Sequence, residues 1–275
     1  MPTLYLVATP IGNLEDISLR ALRVLREVGI IAAEDTRKTR RLLTAYEIKA
    51  RLISYHEHNK KARLPFLLTQ LKERDLALVS EAGTPGISDP GYELVVAATA
   101  EGIPVVPIPG PSVVVAALTV SGLPTNQFTF LGFLPRKQSE RKRLLASMAN
   151  EPRTLVAFEA PHRLQATLAD MAEVLGDRRL AVCRELTKLH EEVFRGTVSL
   201  ALEYFAEPRG EFTLVIEGKT GESPTALAPE ALGRLRQQGV PAREAVARVA
   251  AATGLPKREL YRAWLRLSAK GSERG

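Results

Sequence analysis

In the first 120 residues, short apolar runs at 3–8 (TLYLVA), 30–33 (IIAA), 76–80 (LALVS) and 105–108 (VVPI) each give way to a loop and then to a stretch of helical periodicity. Runs of this length without polar alternation are buried on both faces, so the sheet they build is mainly parallel and carries helices on both sides. The reading is an α/β fold of doubly wound logic. Ser18 is placed to cap the first helix, and Leu22, Leu25 and Val28 recur at helical spacing behind it.

A second α/β unit follows from about 126 to 219, where FTFLGF, TLVAFEA, RLAVCRE and EFTLVIEG read as strands between helical stretches, after a linker at Pro124, Thr125 and Asn126. Residues 220–229 (TGESPTALAP) read as a second linker. Two or three short helices then turn at 239–241 and 253–256. Val246, Val249, Ala250, Leu260, Trp264 and Leu267 form their apolar stripes, in the manner of a small helix-turn-helix. The 275 residues therefore divide into an N-terminal α/β domain (1–122), a C-terminal α/β domain (126–219) and a small basic helical domain (229–270).

Net charge is +7, and residues 223–275 hold ten Arg/Lys against four Asp/Glu, so nearly all the excess lies in the helical domain. A localised basic unit points to a polyanion, most simply nucleic acid. A single cysteine, Cys183, excludes a disulfide-stapled secreted module. The start lacks a signal-peptide pattern, and the most apolar run, 113–120, is too short to span a bilayer; the expectation is a cytoplasmic protein without a membrane partner.

Three Gly- and Pro-rich loops follow predicted strands: 9–14 (TPIGNL), 81–91 (EAGTPGISDPG) and 107–112 (PIPGPS). Open α/β sheets bind ligands at the carboxyl ends of their strands, so the three converge on one crevice. None fits a phosphate-cradling nucleotide motif. Their glycines let backbone approach a flat, largely uncharged ligand, while helix amino ends meet a carboxylate. S-adenosylmethionine (SAM) offers both features. The candidate cofactor contacts are Pro10, Gly12, Asn13, Gly83, Thr84, Asp89, Gly110, Pro111 and Ser112; Asp89, with Pro90, is also placed to cap the next helix.

TPIGNLEDISLRAL, IAAEDTRKTRRLL, VSEAGTPGISDPGYELV, VVPIPGPS, FLGFLPRK, FEAPHR, RELTKLHEE and EFTLVIEG occur in this order. Together they resemble the bacterial small-subunit rRNA cytidine 2′-O-methyltransferases, a family of the SAM-dependent tetrapyrrole methylase superfamily. The resemblance covers about residues 3–219, and the helical domain resembles the family's appendage. Glu81 departs from the Asp more usual there. The resemblance implies a homodimer of two-domain α/β chains that binds folded SAM between the domains. It also implies methylation of the ribose 2′-hydroxyl of a decoding-region cytidine, in small-subunit rRNA or the assembled small subunit.

Because the sulfonium already activates the methyl group, the protein must position the ribose oxygen and remove its proton. The candidate catalytic residues are Asp35, Glu159 and Lys188, with Asp89 a fourth. Asp35 competes with an N-cap role, Glu159 with capping the helix opened by Pro161, and Lys188 with an exposed turn; as a base, Lys188 requires desolvation to lower its pKa. Arg37 and Lys38, with Arg40 and Arg41, are candidate phosphate contacts, as are Arg136 and Lys137 in the charged run 135–143 and Lys257 and Arg258 in the tail. His56 and His58 lack a third ligand at metal-site spacing, so no metal is expected. Two rival functions use the same features: a superfamily methyltransferase acting on a tetrapyrrole or other small substrate, and a metabolite-sensing DNA-binding regulator. The basic tail argues against the first, and the lack of an Asn/Gln base-reading set argues against the second.

Overall fold

Five parallel strands build the first sheet: β1 (Leu4–Val7), β2 (Ile30–Ala33), β3 (Arg51–Ser54), β4 (Leu76–Val79) and β5 (Val105–Ile108), in the order β3-β2-β4-β1-β5. The computed structural model describes residues 2–219, 224–253 and 255–272. Every side chain of β2 and β4 is buried, as their unbroken apolar sequences require. The strand period of two then splits them between two cores. Val7, Ile31, Ala33, Ala77 and Val79 face α1 (Leu19–Glu27) and α2 (Thr36–Ala45). Leu4, Ile30, Ala32, Leu76 and Leu78 face α3 (Lys60–Leu71) and α4 (Tyr92–Ala100). Ser18 caps α1 as expected, its Oγ accepting from the Ala21 amide at 3.1 Å.

The second sheet runs β6 (Phe128–Phe133), β7 (Thr154–Glu159), β10 (Phe212–Ile216), β8 (Arg179–Arg184) and β9 (Glu192–Thr197) in spatial order. Only β6 and β7 are parallel; the other pairings are antiparallel. One face packs on α6 (Gln138–Ser147), α7 (Pro161–Leu175) and α8 (Val198–Tyr204) through residues such as Leu155, Leu180, Leu214 and Leu164. The other face, Val156, Ala181, Cys183 and Val215, is covered by Val114, Ala117 and Leu118 of α5 (Val113–Ser121), the helix that follows the last strand of the first sheet. The two sheets share one compact unit, Met1–Glu217.

A separate unit, Gly218–Gly275, holds α9 (Pro224–Gln237), α10 (Ala242–Thr253) and α11 (Lys257–Ser272), closed around Leu232, Ala245, Val246, Val249 and Leu260. Strands β3 and β9 were absent from the sequence expectation. The expected linker at 220–229 is corrected in its second half, which is the first turn of α9; residues 220–223, Gly254 and the Leu267 side chain lie outside the described residues. Among the described residues no helix is long and apolar enough to cross a membrane.

Candidate active site

The loops after β1, β4 and β5 are stitched together at the carboxyl edge of the first sheet. Thr9 and Gly83 exchange two backbone hydrogen bonds of 2.9 and 3.0 Å. Ser80 Oγ donates to the carbonyls of Ala82 and Gly83 at 3.2 and 3.3 Å, and Thr84 Oγ1 donates to that of Pro111 at 3.3 Å. Gly83 has φ +79°, a conformation that favours glycine.

Between these loops and the facing edge of the second sheet lies a cleft of about 460 Å³, within the usual range for small-molecule sites. Its apolar walls are Ile11, Ile87, Val113, Phe133 and Phe158, and its polar walls are rich in carboxylates: Glu34, Glu81, Asp89, Glu185 and Glu211. Among the described residues that line it there is no lysine or arginine. Burial raises the Glu34 pKa, against a hydrogen bond from the Glu81 amide to its Oε2 at 3.0 Å. Burial, reinforced by the charges of Glu34 and Glu81, pushes Asp89 up to about 7. Ser88 and Glu185 line the cleft with positive φ of 64° and 49°, the kind of backbone strain that persists where surroundings over-determine it.

The β8–β9 hairpin meets the first loop along a close seam. Thr187 Oγ1 accepts from the Asn13 amide at 3.1 Å, and Lys188 Nζ is held by Glu185 at 3.0 Å and Glu211 at 2.9 Å. A Cβ on Gly12 would collide with Lys188 Cγ and stand 3.0 Å from the Leu186 carbonyl oxygen. On the far side of this loop a smaller pocket, about 310 Å³, is lined by Pro10, Gly12, Lys38, Arg41 and Lys188, and it shares Ile11, Glu81, Ala82 and Glu211 with the cleft.

Of the residues singled out from sequence, Gly83, Thr84, Asp89 and Ser112 line the cleft, and Pro10 and Gly12 the smaller pocket. Asn13 caps a short 3-10 turn, Leu14–Asp16, while Pro111 and Gly110 support the loops from behind, Gly110 against Ala8. Asp89 is not the helix cap: α4 begins at Tyr92 behind Gly91. Asp35 caps α2, accepting from the amides of Arg37 and Lys38 at 2.7 and 3.2 Å, and these bonds lower its pKa. Of its two expected roles, orienting the ribose or capping the helix, this is the capping one, and it engages Oδ1. Glu159 lines the cleft, but its carboxylate is fully buried, Oε1 paired with Arg163 and Oε2 accepting from Thr167 Oγ1 at 2.5 Å, out of reach of a substrate in the cleft. Of the two roles expected of Lys188, base or partner to a developing oxyanion, only the first is corrected. Burial lowers its pKa, but Glu211 and Glu185 outweigh that and raise it, so it stays charged.

Arg37, Lys38, Arg136, Lys137, Lys257 and Arg258 are all exposed. Lys137 pairs with Glu140, and Lys38 with Glu81. Among the described residues no group of three or more His, Cys, Asp or Glu is arranged to hold a metal ion. Sequence reasoning passed over Phe133, Glu211 and Phe212 as residues at the cleft. Glu211 immediately precedes β10, and only the antiparallel placement of β10 brings its start beside the ends of β7 and β8.

A family model described as Tetrapyrrole (Corrin/Porphyrin) Methylases matches residues 3–201, and one described as RsmI C-terminal HTH domain matches residues 223–268. The chain belongs to the tetrapyrrole methylase family and is a methyltransferase. The ribosomal RNA small subunit methyltransferase I of Synechocystis sp. is 50% identical over 279 residues, covering 98% of this chain and all of its own. The protein of the same name from Thermotoga maritima is 52% identical over 222 residues, 80% of this chain and all of its own. The chain falls in the branch these relatives form. The solved uroporphyrin-III C-methyltransferase of Thermus thermophilus, in complex with S-adenyl homocysteine, has the same fold, with a TM-score of 0.57 at 19% identity over 78% of this chain and 97% of its own.

Proposed function

We propose that this chain transfers the methyl group of SAM to the 2′-hydroxyl of a cytidine ribose in small-subunit rRNA, acting in the cytoplasm as a homodimer. The observation that carries the reading is the stitched, acid-lined cleft in a chain half identical to small-subunit rRNA methyltransferases over almost all its length. The residues present fit the donor. Phe133 and Phe158, their rings edge to face at 5.3 Å, suit a flat adenine, Glu34 and Asp89 suit a sulfonium and an ammonium, and the free first-turn amides of α5 behind Ser112 suit a carboxylate. SAM supplies a methyl group already activated on positively charged sulfur.

The chain's own residues hold that donor, exclude water and fix the acceptor. Gly83, Thr84, Asp89 and Ser112 make up the donor side, with Pro10, Gly12, Asn13, Gly110 and Pro111 shaping the loops around it. Arg37, Lys38, Arg136 and Lys137 hold rRNA phosphates, joined by Lys257 and Arg258 of the helical domain. Work is divided among domains at 1–122, 126–219 and 229–270, with the last serving RNA engagement rather than chemistry. Incubation with labelled SAM and either small ribosomal subunits or a tetrapyrrole acceptor tests the reading: label enters the rRNA and not the small molecule. Label in the tetrapyrrole alone would refute it.

A further inference from the structure

The two cavities beside the first loop differ in electrostatic character. The larger has five free-standing or lysine-held carboxylates and no cation among its described lining residues. The smaller draws Lys38 and Arg41 from α2 and Lys188 from the hairpin. A nucleic-acid phosphate is repelled from the first and attracted to the second, where Arg37 and Arg40 lie exposed on the same helix. In-line transfer places the acceptor oxygen between donor and acceptor sites, hence at their common wall. Of the four residues on that wall, Ile11 and Ala82 have no proton-accepting side chain, which leaves Glu81 and Glu211.

These two carboxylates are not equivalent. Glu211 is tied to Lys188, which Glu185 also holds, and its amide is anchored on Glu185 Oε1 at 2.8 Å, so its charge stays committed. Glu81 pairs with Lys38 alone, at the mouth of the cationic pocket, and its backbone is fixed independently by Glu34. A phosphate arriving in that pocket competes for Lys38 and releases the Glu81 carboxylate beside the incoming ribose. Resting on the rRNA reading above, we infer that the smaller pocket receives the target nucleotide by its backbone phosphate and that Glu81 takes the proton from its 2′-hydroxyl. The O–H bond breaks with its proton passing to Glu81. An oxygen electron pair forms the bond to the methyl carbon, and the carbon–sulfur pair remains on sulfur, which leaves uncharged. The groups facing Glu81 are Lys38 from α2, Glu34 from the end of β2 with His56 beyond it, and Asp89 from its own loop.

The test uses the full chain, SAM and small ribosomal subunits. Glu81→Gln keeps size and fold, checked by thermal melting. It is expected to lower kcat by about 10²–10⁴-fold and to leave the calorimetric Kd for SAM and the KM for subunits within about threefold. Glu81→Asp is expected to recover part of kcat. Lys38→Met is expected to raise KM for subunits and to reduce the salt slope of subunit binding by about one. A Glu81→Gln variant with undiminished kcat, or one whose SAM affinity falls as far as its activity, would overturn the inference, as would a Lys38→Met variant with unchanged KM. Failure of the wild-type chain to methylate subunits would instead remove the functional reading itself, so the two failures are distinct.

Discussion

Asp89 shows how far a single residue can depart from what its neighbours in sequence suggest. The Asp-Pro pair invites a helix-cap reading, yet the carboxylate faces the cleft, where burial raises its pKa from 3.8 to about 7. The folded chain therefore keeps a proton there that the unfolded chain releases from about pH 4 upward. Stability from this group falls as pH climbs between those two values and is constant above the upper one. Asp89→Asn should accordingly melt higher than wild type at pH 8, with the gap closing near pH 4; equal melting temperatures at pH 8 would contradict the assignment. Arg141 makes the complementary point. In the run 135–143 it looks like any other surface cation, but it is 4% exposed and donates from Nε to Asp170, itself 2% exposed, at 2.7 Å. Nothing in the sequence distinguishes it from Lys142 or Arg143, because its partner lies 29 positions away on another helix. Arg141→Met leaves the buried Asp170 with Gln138 at 2.9 Å and Lys142 at 3.7 Å but takes away its charged hydrogen-bond partner, so chemical denaturation should report a loss of about 1.5–3 kcal/mol.

At the scale of elements, legibility followed unbroken apolar sequence rather than burial, since β5 and β6 are edge strands of mixed burial and were legible all the same. Strands β1, β2, β4 and β5 are apolar almost throughout and declared themselves; the polar-interrupted sequences of β3 (RLIS) and β9 (EVFRGT) carried too little signal. That the three glycine loops belong together was readable from their places after strands. That Gly12 must admit the β8–β9 hairpin was not, since the contact joins residues about 175 positions apart. Gly12→Ala pushes its new methyl into the hairpin backbone at the Leu186 carbonyl, 3.0 Å away. The expected cost is about 1–3 kcal/mol in thermal unfolding, together with weaker SAM binding by calorimetry. Wild-type values of both would show that the seam is slack. Helix α5 was read correctly as a helix but not as the cover of the second sheet, because an all-apolar helix has no stripe to say which sheet it serves.

For the whole molecule, the basic helical unit was visible from charge alone, and its packing was visible from the stripes that became its core. The Thermotoga relative is covered in full by four-fifths of this chain, leaving a remainder about the size of that unit without a counterpart. Such a unit is dispensable for building the donor cleft, all of whose lining residues lie between Ile11 and Thr213. A chain ending at Lys219 should therefore bind SAM with unchanged heat and affinity while its KM for small subunits rises several-fold; unchanged KM would remove the RNA role assigned to the helices. The account as a whole stands on where the methyl group goes. Mass mapping of rRNA after reaction of small subunits with SAM and the full chain should find one added methyl, on the ribose of a single cytidine, leaving the adjoining phosphodiester resistant to alkali. A methyl group on a base, or no methylated nucleotide at all, would contradict it.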